Sequence, residues 1–338
     1  MRIILDGMGG DNAPVAVVEG AILASRLMNH EIIITGDKEI IDKELSKHKF
    51  DHEKISVEHA PEVITNDDAP VKAVRNKKNS SMVVGLNMLK EGKGEIFISA
   101  GNTGALMAGG LFILGRIQGI DRPAIASAYP ILLKKGVALL VDAGANSECK
   151  PNNLLEFAAM GSIYMENVLD LQNPTVGLVN IGTEESKGTT VIKAAHELLS
   201  KSRMNFIGNV EARDIPKGAC DVIVCDGFVG NVILKLTEGL AWNIFKLVKS
   251  KFTEGITAKM GAMLLAGKLK ELKKEFDYSE YGGAPILGLK GPIVKMHGSS
   301  STNSVKNTIL KAVPFAEQNV VSIIQNTVVD IEEILISE

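Results

Sequence analysis

Short runs of aliphatic residues alternate with longer amphipathic segments along most of the chain. Continuous Val, Ile and Leu runs without polar alternation are typical of parallel strands that helices cover on both faces. Such runs predict strands at 3–6, 32–35, 55–58, 96–99, 137–142, 176–180 and 222–226. The amphipathic segments between them predict helices that include 14–28, 81–90, 154–165 and 189–200.

The repeated strand–helix–strand order predicts right-handed crossovers and an α/β fold. We therefore expect a Rossmann-like, doubly wound and mostly parallel sheet. The 338 residues suit a single α/β unit over 1–338, either undivided or built as two lobes around one cleft. In such sheets ligands bind beyond the carboxyl ends of the strands, so we expect the loops after the strands to line one crevice.

Composition and charge narrow the classes of function. A hydrophobic fraction of 45% with 23% charged residues indicates a folded globular protein. A net charge of −3 shows no basic bias, so no nucleic-acid partner is predicted. The 33 glycines and the aromatic fraction of 4% favour phosphate binding through backbone over base stacking.

The cysteines and the apolar windows predict the compartment. Three cysteines without zinc-like spacing indicate a reducing environment and no disulfide scaffold. The N-terminus lacks a signal-peptide pattern, and the apolar windows 105–114 and 124–133 are too short to span a bilayer. We therefore expect a cytoplasmic protein that meets a membrane, if at all, at its surface.

The loop after the first predicted strand combines glycines with carboxylates and an amide. Asn12 stands where a dinucleotide-binding fingerprint needs its third glycine, so that motif is excluded. The loop predicts a polar pocket floor, although a tight turn with a helix cap explains the same residue types equally well. The pocket residues predicted here are Asp6, Gly9, Gly10, Asp11 and Asn12.

The loop after the fourth predicted strand has the composition of an anion site. Small polar residues open a helix there, and the free N–H groups of a helix start attract anions. Arg122 is the predicted bidentate partner of the same anion, and a surface pair with Asp121 is its alternative. A plain cap by Asn102 or Thr103 is the alternative for the loop. The predicted phosphate-binding residues are Ser99, Gly101, Asn102, Thr103 and Arg122.

Later loops repeat this combination of glycine and polar side chains. His297 is the only histidine within such a loop, and its Gly-Ser-Ser neighbours make an acid–base role as plausible as a structural one. Cys225 fits a buried structural thiol better than a nucleophile. At least five such loops together favour an enzyme acting on phosphate or a phosphorylated substrate. The candidates in these later loops are Asp142, Asn146, Asn180, Glu184, Lys187, Asp226, Asn231, Gly283, His297 and Ser299.

The chain changes character between 246 and 275, where eight lysines and three glutamates give a net charge of +5. Apolar residues lie between these lysines, as in interfacial membrane elements. We predict a protruding helical hairpin over 246–276 that contacts a membrane or an acidic partner; its alternative is a dimer interface. The contact residues would be Lys259, Met260, Met263, Leu264, Leu265 and Lys268.

Seven motifs in order resemble the bacterial phosphate acyltransferases of phospholipid synthesis. They are DGMGGDNAP at 6–14, AGNTGA at 100–105, DRPAI at 121–125, NIGTEE at 180–185, CDGFVGN at 225–231, YGGAP at 281–285 and HGSS at 297–300. The likeness runs from residue 1 to about residue 305. Gly7, where most members are expected to carry Ala, is a small departure.

The resemblance implies a fold related to phosphotransacetylases and to the isopropylmalate-dehydrogenase type. It also implies a cytoplasmic homodimer that associates peripherally with the membrane. The implied reaction passes a long-chain acyl group from acyl carrier protein to inorganic phosphate, without cofactor or metal. A downstream membrane glycerol-3-phosphate acyltransferase would then use the acyl phosphate.

Residue type and loop position give the candidates their roles in that reaction. Lys187 is expected to stabilise charge, His297 to pass a proton to the departing thiolate, and Asn180 is a further catalytic candidate. A short-chain phosphotransacetylase using coenzyme A is the nearest alternative, and a metal-dependent dehydrogenase fits less well. A noncatalytic phosphate-sensing, membrane-recruiting protein is the alternative from another class.

Overall fold

The computed structural model describes residues 1–132, 136–255, 261, 263–268 and 282–327. The strands of this part are β1 (Arg2–Asp6), β2 (Glu31–Gly36), β3 (Ile55–His59), β4 (Ile96–Ser99), β5 (Ala124–Pro130), β6 (Val137–Val141), β7 (Thr175–Asn180), β8 (Asn205–Glu211), β9 (Val222–Val224), β10 (Ala284–Leu287) and β11 (Ile293–Lys295). They form one sheet in the order β3-β2-β1-β4-β11-β10-β5-β6-β9-β7-β8.

Helices connect most of these strands. They are α1 (Val15–Ser25), α2 (Lys38–Leu45), α3 (Pro70–Asn76), α4 (Ser81–Lys90), α5 (Thr103–Gly109), α6 (Pro151–Val168), α7 (Thr190–Lys201), α8 (Gly227–Thr253) and α9 (Thr302–Glu317). A π-helical turn, Gly110–Leu114, continues α5. The predicted helices correspond to α1, α4, α6 and α7, and the seven predicted strands are all present.

Hydrophobic cores lie on both faces of the sheet. Ile3 and Leu5 of β1 pack into one core with α1, α6 and α9, and Ile4 packs into the other with α4. The buried aliphatic runs therefore belong to covered strands, and the predicted α/β architecture with a mostly parallel sheet is confirmed.

The middle of the sheet differs from the predicted doubly wound pattern. β11 runs parallel to β4, but β10 is antiparallel to β11 and to β5, and β5 is antiparallel to β6. β9 and β7 then run parallel to β6, and β8 parallel to β7. The strands β6 to β9 consequently run opposite to β1–β4, so their carboxyl ends open at the other edge. The expectation that all polar loops share one crevice is wrong within a single chain, because the antiparallel centre was not recognised.

The predicted element 246–276 is only partly described. α8 already begins at Gly227, and Lys259 and Met260 lie outside the described residues. Residues 263–268 are helical and exposed, with Met263 at 79% and Leu264 at 88% exposure, and Leu265 and Lys268 are exposed with them. A helix long and apolar enough to cross a membrane does not occur in the described ranges.

Candidate active site

A buried carboxylate joins the loops that follow β1 and β4. Asp6 ends β1, and its Oδ1 accepts hydrogen bonds from the N–H groups of Met8, at 3.2 Å, and Gly9, at 3.1 Å. Its Oδ2 accepts a 2.7 Å bond from the hydroxyl of Ser99. The Ser99 Oγ in turn accepts from the N–H of Gly101 at 3.0 Å. Asp6 therefore fixes the shape of this edge, and the Ser99 hydroxyl already donates to a protein group.

Two glycines let these loops approach each other closely. A Cβ on Gly9 would lie 2.5 Å from Asp6 Oδ2 and 2.7 Å from the backbone N of Gly101. Gly10 has a φ of +100°, a conformation that favours glycine, and a Cβ there would meet Ala100. These glycines therefore allow the loops after β1 and β4 to pack directly against each other.

The loop after β11 completes the same edge. The N–H of Asp11 donates to the carbonyl of Gly298 at 2.8 Å. The amide Nδ2 of Asn12 donates to the carbonyls of Ser299 and Ser300, both at 3.1 Å. The structure thus brings the predicted first loop together with the predicted His297 loop.

His297 is exposed at this edge and is held by Ser299. Its Nδ1 lies 2.8 Å from Ser299 Oγ and 3.2 Å from Ser299 N. Both contacts are made on the Nδ1 side of the ring, so Nε2 is the nitrogen that remains for a substrate.

Lys295 also lies at this edge, although no sequence pattern predicted a functional role for it. It ends β11, pairs in register with Ser99, and donates its ammonium to the carbonyl of Met296. Burial lowers the pKa of the half-buried Lys295 to about 8, against the opposing carboxylates of Asp6 and Asp11. A lysine that ends an apolar run two residues before His297 was the available signal.

The predicted phosphate loop begins α5. Asn102 is the cap of this helix, because its Oδ1 accepts from the N–H of Ala105 at 3.0 Å. Its Nδ2 donates to the carbonyls of Thr65, at 3.2 Å, and Asn66, at 3.4 Å. Thr103 follows as an exposed first helical residue, and Gly101 is buried. The plain cap considered for Asn102 is therefore present, and the carboxyl end of β4 faces the same edge as Asp6.

A second set of predicted residues lies at the opposite edge, after β6 and β9. Asp142 is buried, and its carboxylate accepts from the N–H groups of Ile125, Gly144, Ala145 and Asn146 and from the Asn146 side chain. Burial raises the pKa of Asp142 in spite of these hydrogen bonds. This carboxylate acts as an organiser of its own loop.

Other residues of the second edge surround Asp142. Asn146 also donates to the carbonyl of Pro123 at 2.8 Å, which places the exposed Arg122 beside this edge and not beside Ser99. Asp226 caps α8 by accepting from the N–H of Val229 at 2.8 Å. Asn231 packs against Gly144.

The buried Cys225 donates its S–H to the carbonyl of Asp142 at 3.7 Å, and burial raises the pKa of its thiol well above the usual value. Cys225 is therefore a buried thiol, as the sequence predicted.

A third set lies after β7. Asn180 accepts from the N–H of Ile181 at 2.8 Å and donates to the carbonyl of Lys187 at 3.1 Å, while Lys187 and Glu184 are exposed. β7 stands six strand positions from β4, roughly 30 Å along the sheet at the usual strand spacing. One chain does not bring Lys187 together with Ser99 or His297.

Gly283, the last of the predicted pocket residues, precedes β10 and packs against Val294 and the carbonyl of Lys295. The described ranges contain no cluster of His, Cys, Asp or Glu suited to a metal ion.

Comparison with known proteins gives consistent matches over almost the whole chain. The profile of the fatty acid synthesis protein family matches residues 1–323. The phosphate acyltransferase of Alkaliphilus oremlandii is 56% identical over 320 residues, which cover 95% of each chain. That of Clostridioides difficile is 52% identical over 321 residues, covering 95% of this chain and 94% of the other.

Solved structures extend the likeness to the fold. A phosphotransacetylase from Streptococcus pyogenes gives a TM-score of 0.63 at 17% identity, with 94% of each chain covered. A 4-hydroxythreonine-4-phosphate dehydrogenase from Klebsiella pneumoniae gives 0.54 at 10% identity, covering 94% of this chain and 99% of the other. At these identities the likeness concerns the fold alone, and it agrees with the predicted relation to phosphotransacetylases.

Proposed function

This chain belongs to the phosphate acyltransferase family of fatty acid synthesis proteins, and from that premise we propose that it transfers a long-chain acyl group from acyl carrier protein to inorganic phosphate. The observation that carries the proposal is the edge formed by β1, β4 and β11. The Lys295 ammonium and the His297 imidazole both lie there. The Asp6–Ser99 hydrogen bond joins the β1 and β4 loops, and the bond from Asp11 to Gly298 adds the loop after β11.

Phosphate is an oxygen nucleophile, so the site has to hold it beside a thioester and to stabilise the oxyanion. The N–H groups at the start of α5, beginning with the exposed Thr103, are the proposed phosphate contacts. Ser99, Gly101 and Asn102 bind protein groups and would hold this loop in position. The Lys295 ammonium stands at the adjoining strand end and supplies the positive charge.

In the proposed step, a phosphate oxygen forms a bond to the thioester carbonyl carbon, and the carbon–sulfur bond breaks. His297 Nδ1 accepts from the N–H of Ser299, so the neutral ring carries its proton on Nε2. Nε2–H gives this proton to the departing thiolate, and the proton of the attacking phosphate replaces it on Nε2. The products are acyl phosphate and the free thiol of the carrier protein.

We propose a homodimer that forms through α8. Its exposed apolar side chains recur along one helix face, and a second copy would remove this surface from water. The recurring residues are Phe228, Val232, Leu236, Leu240, Ile244 and Leu247. Because Lys187 is remote from His297 along the sheet, its predicted role in charge stabilisation requires delivery by the second copy. Arg122, at the second edge, would reach the phosphate in the same way.

The exposed residues of 263–268 support a peripheral contact with an anionic membrane surface from the cytoplasmic side. Met263, Leu264 and Leu265 offer apolar side chains, and lysines flank them in the sequence. Such a contact would release acyl phosphate near a membrane glycerol-3-phosphate acyltransferase. Leu264→Glu with Leu265→Glu should release the chain from anionic vesicles, and retained binding would reject this contact.

Incubation with palmitoyl-carrier protein and phosphate tests the reaction. Acyl phosphate trapped as its hydroxamate is the expected product, and it should depend on both substrates. Product from acetyl-coenzyme A alone would instead identify a short-chain phosphotransacetylase. Absence of product from every thioester would reject catalysis by this chain.

A further inference from the structure

The segment 71–90 is strongly basic, although its charge is invisible in the net charge of the chain. It contains five lysines and arginines and no acidic residue. Lys77 is bonded to Asp68 at 2.6 Å, whereas Lys72, Arg75 and Lys78 are exposed on or just after α3. This segment therefore presents positive charge on a surface that the roles proposed above do not use.

An open groove of about 440 Å³ lies beside these cations. The groove lies between the end of α3, the helix α4 and the π-helical turn. Val74, Val83 and Ile113 form its apolar lining, and Asn87 lies beside them. Phe112 is 53% exposed at its rim, and the Arg75 guanidinium lies 5.3 Å from the centre of its ring. Lys78 completes the lining. The groove thus combines an apolar floor with an aromatic anchor and two cations.

The groove is connected to the candidate active site by two helices that run side by side. Gly104 packs against Pro70 where α5 and α3 begin, and Gly109 lies near Val74 where they end. Asn102, at the active-site edge, and Phe112 are ten residues apart, about 15 Å of helical rise. Partly exposed Met107 and Leu111 lie along this path. A prosthetic arm anchored at the groove could reach the phosphate site along this path.

We propose that this groove, with Arg75 and Lys78 on its rim, is the docking surface for the acidic face of acyl carrier protein. The inference rests on the proposed function and names the place where that function meets its protein substrate. Charge complementarity supports an acidic partner, because carrier proteins are strongly acidic as a class. The concave shape favours a protein side chain over a bilayer, which would need protruding apolar residues such as Leu264. On this proposal the lysines of 246–276 contact anionic lipid and not the carrier protein.

The double variant Arg75→Glu, Lys78→Glu tests this docking surface. We expect KM for palmitoyl-carrier protein to rise about tenfold or more, with kcat unchanged. KM for palmitoyl-pantetheine, which lacks the carrier protein, should stay the same. Lys43→Glu with Lys193→Glu is the matched control, since both lysines are exposed on other helices. Thermal unfolding checks that each variant is folded.

Direct binding gives a second readout. Titration with the unacylated holo-carrier protein should show a similar loss of affinity for the double variant and for Phe112→Ser. Unchanged KM and unchanged affinity would overturn the proposal, as would loss of anionic-vesicle binding with normal carrier-protein kinetics. Failure of the proposed function looks different, because the wild-type chain would then form acyl phosphate from neither thioester.

Discussion

Two edges of the sheet each place a buried aspartate at the end of a strand, and they use it differently. Asp142, after β6, accepts hydrogen bonds from Ile125 and from its own loop, and the amides that face it are thereby used within the protein. Asp6, the last residue of β1, ties its loop to Ser99, and Lys295 and the His297 loop lie at the same strand ends. A buried aspartate at the end of a strand therefore indicates only that it holds the loop in shape. A candidate active site is indicated when other titratable side chains, such as Lys295 and His297, lie close to that loop.

The largest expected effects concern His297, at the first edge, and Lys187, in the loop after β7. His297→Ala and Lys187→Ala should each lower kcat by about 100-fold or more. If a second copy delivers Lys187, mixing the two inactive variants should restore about a quarter of the wild-type activity, because half of the random dimers carry one intact site. The rate of palmitoyl phosphate formation after subunit exchange measures the restored activity.

Activity of the Lys187→Ala chain near that of the wild type would remove Lys187 from the reaction. Two inactive variants that stay inactive after confirmed exchange would contradict delivery by the partner.

Lys295→Met tests the first edge itself. Loss of a charge beside the phosphate should lower kcat/KM for phosphate by about 100-fold with little change in the free energy of unfolding. If Lys295 binds phosphate in its protonated form, below its pKa of about 8, KM for phosphate should rise as pH passes through that value. The variant should lack this inflection. The control is Lys43→Met; an inflection that persists in Lys295→Met would assign it to another group.

Asp142→Ala tests the second edge. Removing the carboxylate leaves buried N–H groups without an acceptor, so the free energy of unfolding should fall by about 3 kcal/mol or more. Chemical denaturation measures this loss. Asp226→Ala, which removes only a helix cap, is the milder comparison at about 1 kcal/mol. Equal and small losses for both would contradict the organising role of Asp142.

The smallest effect is a pH dependence of stability at the second edge. Burial raises the pKa of Glu156 to about 7, and its carboxylate accepts from the N–H of Asp121. The folded chain therefore binds a proton that the unfolded chain releases above its ordinary pKa, so stability falls as pH rises from about 4.5 to 7. We expect the free energy of unfolding to fall by about 1–3 kcal/mol over this pH range, and Glu156→Gln should remove most of that fall. An unchanged slope in denaturation curves would assign the dependence elsewhere.

Much of the fold was predictable because its parallel strands are continuous aliphatic runs. β10 and β11 have four and three residues, too few for a periodic signal, and β5 reads as alanine and serine among apolar residues. These strands set the antiparallel centre of the sheet. Because these three strands have no clear sequence signal, the sequence predicts the polar loops but wrongly places all of them at one edge of the sheet.

The candidate site shows the same limit. Asp6, Ser99, Asn12 and Ser299 are brought together as neighbouring loops, because β1, β4 and β11 are parallel neighbours. Lys295 was not predicted because the three residues of β11 are too few to be recognised as a strand. Its position at the carboxyl end of a strand was therefore not evident from the sequence. Arg122 and Lys187 are exposed cations, but the order of the strands, which single-sequence patterns do not reveal, places them away from Ser99 and His297.

Amide hydrogen exchange with and without saturating phosphate is the decisive measurement, because it reports where the anion binds. We expect slower exchange in segments 7–12 and 100–105, no change in 142–146, and loss of the effect in Lys295→Met. Protection confined to 142–146, or unchanged by Lys295→Met, would contradict the assignment of phosphate to the edge of β1, β4 and β11.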